Sequence, residues 1–157
     1  MKIVILGLGL IGGSIAKQLS AKNEFEIFAY DINHDSINNA LAASSIGGAI
    51  QDLKELNSQD FENSLVIIAT PPKISLDILR SLKFLFNTSV TITDTASIKL
   101  PIDQLLSELG SPSNVMFSHP IAGSHRSGEK HSASNLFLNK KVIISRPPSA
   151  GEEHAAK

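Results

Sequence analysis

The sequence predicts an α/β fold, a doubly wound and mostly parallel sheet with helices packed against it. Three observations carry that prediction. Apolar, β-branched runs at Lys2–Leu6 and Leu65–Ala69 read as strands buried on both faces. Between the strands, apolar residues recur at helical spacing, and Gly or Pro marks most of the changes of element. Strands that alternate with helices in this way are joined by right-handed crossovers and lie parallel in one sheet covered by helices on both faces.

The first strand, Lys2-Ile-Val-Ile-Leu6, runs into a glycine turn. Ile11, Ile15, Ala16 and Leu19 then mark a helix over residues 11–21, and residues 26–30 read as a second short strand. A helix over residues 35–43 and a turn at Gly47-Gly48 precede the strand at 65–69, which Thr70-Pro71-Pro72 stops. Ile74, Ile78, Leu82 and Leu85 share one face of the next helix. Residues 90–93 read as a strand, and residues 101–109 as a helix with Pro101 at its start and Gly110 just past its end. Residues 115–117 and 141–145 are the last strand candidates. Gly151–Lys157 reads as the first turn of a further helix, so residues 1–150 form one domain and 151–157 open another segment.

Composition narrows the function. The chain has 157 residues, 42% hydrophobic and 18% charged, with a formal net charge of −1. With no Cys, thiol nucleophiles, redox pairs and thiolate-held zinc are excluded; a reducing, cytoplasmic setting and no metal site are expected. Near-neutral charge, one Tyr and no Trp leave neither a basic stripe nor a stacking platform for nucleic acid. The uncharged stretch from Ile3 to Ser14 is too short to span a membrane and is broken by four glycines, so a buried strand and turn explain it better than a signal peptide.

The glycines carry the first functional signal. Gly7-Leu-Gly9-Leu-Ile-Gly12 follows a buried strand and opens a helix, the setting of a dinucleotide fingerprint in a Rossmann-type domain. Gly7 permits the tight turn, Gly9 lets backbone approach a pyrophosphate, Gly12 allows close helix–strand packing, and the helix start at Leu10 and Ile11 offers free amides to phosphate. Asp31 ends the second strand nineteen residues after Gly12, where a carboxylate accepts from ribose hydroxyls. It would repel a 2′-phosphate, which favours NAD over NADP. The structural alternative is a turn that merely packs, with Asp31 capping the next helix.

Ligands of open α/β sheets sit beyond the carboxyl ends of the strands. Two polar clusters lie there, Asp94–Lys99 and Ser118–Gly128. Four pieces in order, the glycine turn first, resemble the prephenate and arogenate dehydrogenase family of tyrosine biosynthesis: Gly7–Ser14, Ile68-Ala-Thr-Pro-Pro72, Asp94-Thr-Ala-Ser-Ile-Lys99 and His119-Pro-Ile-Ala-Gly-Ser124. The resemblance covers nearly all of this chain but only the N-terminal part of a family member. It implies NAD-dependent oxidative decarboxylation of prephenate to 4-hydroxyphenylpyruvate, or of arogenate to tyrosine. It also implies that residues 151–157 begin a C-terminal helical domain that forms a homodimer and completes the substrate pocket.

Carried over by motif, His119 resembles the family's catalytic histidine, which holds the substrate's ring hydroxyl and takes its proton. An imidazole, with an ordinary pKa of about 6.5, suits that task. Ser97 resembles the serine that positions the same hydroxyl against the nicotinamide. From spacing alone, His119 is equally a strand-end histidine satisfied by backbone, and Ser97 a helix cap. Thr70 and Pro71 either line the dinucleotide groove or only end a strand, and Lys99 either attracts a substrate carboxylate or, as the leading reading, is a solvated lysine near a helix start. Where many prephenate enzymes carry an acidic residue, this chain has His125 followed by Arg126; with Ser124 these complete the candidate substrate residues, and Arg126 either pairs with a substrate carboxylate or faces water. His34, His131 and His154 read as surface residues. Two other readings remain open: a non-catalytic NAD-binding module, and another short-substrate NAD(P) dehydrogenase such as a β-hydroxyacid dehydrogenase.

Overall fold

In the computed structural model of the protein, which describes residues 1–122 and 128–147, the first apolar run forms β1 (Lys2–Leu6). Its side chains alternate between two cores: Val4 and Leu6 face one, Ile3 and Ile5 the other, and all four are at most 2% exposed. A run with no polar face can lie only at the centre of a two-sided sheet. The chain continues through α1 (Leu10–Ser20), β2 (Glu26–Tyr30), α2 (His34–Ala42), β3 (Gly48–Ala49), β4 (Leu65–Ile68) and α3 (Pro72–Ser81). It ends with β5 (Thr91–Asp94), α4 (Leu100–Glu108), β6 (Val115–Pro120) and β7 (Val142–Ser145).

These strands form one seven-stranded sheet in the order β3-β2-β1-β4-β5-β6-β7. Neighbours are parallel except for the β6–β7 pair, which is antiparallel. The strand order reverses direction between β1 and β4, and this switch point opens a crevice at the carboxyl ends of the two central strands. Local chemistry sets the helix ends as expected. Asn33 caps α2 by accepting from the Asp35 amide, proline sits at the start of α3 and of α4, and Gly110, at φ +96°, follows α4.

Four expectations change. The turn at Gly47-Gly48 leads into the edge strand β3, held by Gly47 N–H to Ile27 O and Ile50 N–H to Ala29 O. β6 runs on to Pro120, because Ser118, His119 and Pro120 pair with Ile144, Ile143 and Val142 of β7; His119 therefore lies within a strand. Ile74 is 46% exposed, while Ile78, Leu82 and Leu85 are buried. Helices cover only part of the second face: α1 and α2 pack over the β1–β3 half, whereas among the described residues the β4–β7 half forms one wall of an apolar trough of about 600 Å³ whose other side is α1. No helix among the described residues is long and apolar enough to cross a membrane.

Candidate active site

The crevice at the switch point is built first by glycine. Gly7 adopts φ +98°, which turns the chain sharply out of β1. A Cβ at Gly12 would lie 1.9 Å from the Gly7 carbonyl oxygen and 3.1 Å from Ala69 Cβ, so only glycine lets α1 sit this close to the turn and to the end of β4. Gly9 differs, since a Cβ there would meet nothing within 4 Å. Protein packing does not demand glycine at position 9. The space in front of the helix start is open, and among the described residues no side chain caps α1, which leaves its first-turn amides at Leu10 and Ile11 available to a ligand.

Asp31, just past β2, is tied to this turn. Its Oδ2 accepts from the Leu8 amide at 2.6 Å and its Oδ1 from the Asn33 amide at 2.8 Å. Each oxygen keeps a free lone pair, so the carboxylate is oriented by the turn and remains able to accept from two vicinal hydroxyls. Beside it lies a cleft of about 310 Å³ lined by Tyr30, Ile32, His34, Ile37 and Gln51. His34, expected as a plain surface residue, stands on that cleft. The open glycine cradle, the free amides and the oriented carboxylate together fit a dinucleotide extended across the carboxyl edge of the sheet.

Thr70 closes the other side of the switch point. Its Cγ2 would lie 2.7 Å from a Cβ on Gly7, and its hydroxyl bonds the buried Ser75 hydroxyl at 2.9 Å, which fixes the start of α3. Pro71 is the exposed N-cap of α3. Thr70 thus packs against the glycine turn, and Pro71 opens α3 just past the end of β4.

Ser97 and His119 come from adjacent strand ends. Ser97 is exposed in the bend between β5 and α4 and does not cap α4, whose N-cap is Lys99. His119 is half-buried near the end of β6, and its Nδ1 is buried without a partner among the described residues. A buried nitrogen with nothing to bond is costly unless a ligand meets it. Ser124, His125 and Arg126 lie outside the described residues. Downstream, the chain returns to α1: the Ala133 amide donates to Ser14 Oγ at 2.9 Å, and Lys17 Nζ donates to Ser132 Oγ at 2.7 Å. This seat beside the glycine turn had no signal in the sequence pattern.

Sequence reasoning also missed Lys99. It is not a solvated lysine: its side chain is 22% exposed, and Nζ donates to Asp94 Oδ2 at 2.5 Å and to the Ser118 carbonyl at 2.7 Å. Burial pushes the Asp94 carboxyl above its ordinary range, and the hydrogen bond and charge of Lys99 oppose that rise. Burial likewise pulls the Lys99 ammonium below the ordinary lysine value, against the hold of Asp94. The Asp94–Lys99 motif was visible in the sequence, but nothing in its spacing shows that its two ends meet.

Among the described residues, no group of three or more potential ligands is placed to hold a metal. Comparison with known proteins agrees with the crevice. The family model for the nucleotide-binding domain of prephenate dehydrogenase matches residues 15–155. The prephenate dehydrogenase of Lactococcus lactis is 36% identical over 147 residues, 91% of this chain and 40% of that protein. That of Bacillus subtilis is 35% identical over 150 residues, 90% of this chain and 38% of its own length. The chain thus spans about two fifths of the length of these curated relatives. Among solved structures, Aquifex aeolicus prephenate dehydrogenase in complex with hydroxyphenyl propionate and NAD+ superposes with a TM-score of 0.82 at 30% identity, over 96% of this chain and 52% of that one. Synechocystis arogenate dehydrogenase does so with a TM-score of 0.82 at 27% identity, over 98% and 52%. The chain belongs to the prephenate dehydrogenase family, by its nucleotide-binding domain.

Proposed function

We propose that this chain is the nucleotide-binding and catalytic part of an NAD-dependent dehydrogenase that converts prephenate to 4-hydroxyphenylpyruvate, or arogenate to tyrosine. One observation carries the reading: Ser97 and His119 emerge from the neighbouring strands β5 and β6 on the carboxyl edge that also holds the glycine cradle. Leu10, Ile11 and Gly9 would hold the pyrophosphate, Asp31 the adenosine ribose, and Thr70 with Pro71 the groove wall. Bound there, NAD supplies the hydride acceptor.

The chain's own residues then have defined work. His119 takes the proton of the ring hydroxyl as the carbon bearing it gives up hydride. The bond from the ring to its carboxylate breaks, carbon dioxide leaves, and the released electron pair completes the aromatic ring as a phenolate, to which His119 returns the proton. Aromatisation drives that last step, so the protein need only orient the hydroxyl, which Ser97 does by hydrogen bonding. In this reading Ser124, His125 and Arg126 meet the carboxylate end of the substrate. The complete enzyme is read as a cytoplasmic homodimer; sedimentation of the gene product and fractionation of its cells check the two points.

The test is NADH formation by the full gene product, offered prephenate and arogenate separately. Turnover of at least one is expected, with His119→Asn reducing kcat by about a thousandfold and leaving NAD affinity unchanged. No NADH from either substrate while NAD still binds would make the chain a nucleotide-binding module without this chemistry.

A further inference from the structure

We propose that Lys99 is a positioning residue: it clamps the β5–α4 bend that carries Ser97 to the peptide that carries His119, and so sets the distance between the two. The proposal rests on the functional reading above for what that distance serves. Three contacts define the clamp. Nζ is held by Asp94 Oδ2 and donates to the carbonyl of Ser118, the peptide unit whose nitrogen belongs to His119. The same Asp94 Oδ2 accepts from the Ala96 amide at 2.9 Å, which folds the bend leading to Ser97. Ser118 Oγ donates back to the Asp94 carbonyl at 2.7 Å, and the ammonium stands 5.4 Å from the centre of the Phe117 ring.

One partly buried charge therefore touches both segments of the active pair, and although β7 pairs with the His119 segment on its far side, no ladder ties that segment to the bend that carries Ser97. The β5–β6 register ends at Asp94 opposite Phe117, two residues short of His119. Beyond that point, the parallel pairing no longer holds β6 against β5, and the lysine takes over. A misplacement of about 1 Å between reacting groups costs on the order of a hundredfold in rate. Two of the three ammonium donors are already engaged by protein, so a role in gripping the substrate's carboxylate is disfavoured.

The experiment compares wild type, Lys99→Arg and the double variant Asp94→Asn/Lys99→Met in the full gene product. The double variant removes both charges together and so leaves no lone buried ion to unfold the chain. Melting temperature and NAD affinity are measured first, then kcat and KM, and the His119 imidazole resonances are recorded in the NAD-bound protein. We expect the folded double variant to lose about ten- to a hundredfold in kcat, with KM within about threefold and the His119 resonances displaced; Lys99→Arg restores part of the loss. An unchanged kcat with undisplaced resonances overturns the proposal, and so does a raised KM at unchanged kcat, which would mark Lys99 as a substrate ligand. If the wild type turns over neither substrate, the functional reading fails, and the His119 resonances alone decide whether the clamp exists.

Discussion

Replacing Gly9 or Gly12 by alanine separates folding from nucleotide binding within a single turn. At Gly12 the new methyl would sit 1.9 Å from the Gly7 carbonyl oxygen. An ordinary carbon–oxygen contact is more than 3 Å, as judged from packed protein contacts of roughly 3.5–4.0 Å, so about 1 Å of backbone movement is forced. The obstructing atom belongs to the main chain and cannot rotate away. Overpacking of this kind costs about 1–3 kcal/mol, which for a domain of this size lowers Tm by roughly 3–10 °C.

Gly9→Ala is the opposite case. Gly9 has φ −69° and ψ −158°, which any residue adopts, and its Cβ meets nothing within 4 Å. The gain from restricting the unfolded chain, about 0.4–1 kcal/mol, is offset by alanine's poorer performance at an N-cap. Tm should therefore stay within about 3 °C of wild type. Binding should not survive so well, because the methyl fills the space where the pyrophosphate meets the helix amides. Loss of one or two charge-assisted hydrogen bonds at about 1.5–3 kcal/mol each corresponds to a drop in NAD affinity of roughly ten- to ten-thousandfold. With no Trp in the chain, titration calorimetry and circular dichroism melts are the suitable assays. A Gly9→Ala protein that binds NAD like wild type would refute the assignment of the cradle. A Gly12→Ala protein that melts like wild type would refute the close approach of α1 to the turn.

Two further outcomes follow from the same geometry. Asp31→Asn keeps an oxygen for the Leu8 amide but removes the charge that repels a 2′-phosphate; calorimetry should show NAD affinity falling about tenfold and the preference over NADP narrowing. Lys99→Met alone should destabilise by about 3–5 kcal/mol at neutral pH, because it leaves Asp94 buried and unpaired. Its carboxyl, already raised by burial, rises further without the lysine that opposes the shift. The folded state then binds the proton more tightly than the unfolded state, so this variant's stability is greatest below the unfolded carboxyl's pKa and falls as pH rises through the folded one. Denaturant midpoints measured across the acid range check the sign; a midpoint that rises with pH in that window would contradict it.

What the sequence made legible follows from what periodicity can register. β1 and β4 announce themselves because a strand at the centre of a two-sided sheet has no polar position to interrupt the run. β3 was invisible because Gly48-Ala49 is two residues with no large side chain, and only hydrogen bonds to β2 make it a strand. β6 was read as ending early because Ser118 and His119 break the apolar pattern. Their place in the sheet comes from β7, a partner more than twenty residues downstream. Ile74 kept the helical spacing yet stays exposed, since the first turn of α3 buries its neighbour Ser75 instead, in line with Ile78 and Leu79.

The candidate site divides along the same line. Gly7, Gly12 and Asp31 could be read from a turn, a spacing and an acid, because the chemistry of holding a dinucleotide is local to one strand, turn, helix and strand. Lys99 could not, since its significance depends on a carbonyl nineteen residues away and on burial that no single-sequence pattern records. This asymmetry has a physical origin. Binding a phosphate needs only backbone amides at a helix start, whereas bringing a base and a hydroxyl to a common substrate requires two strand ends to be aligned beyond the reach of their ladder. The fold meets that requirement with a buried ion pair, which by the direction of both pKa shifts costs stability. A costly contact placed between the two candidate catalytic segments, in a domain whose other fully buried side chains among the described residues carry no charge, is best understood as serving their alignment rather than the stability of the fold.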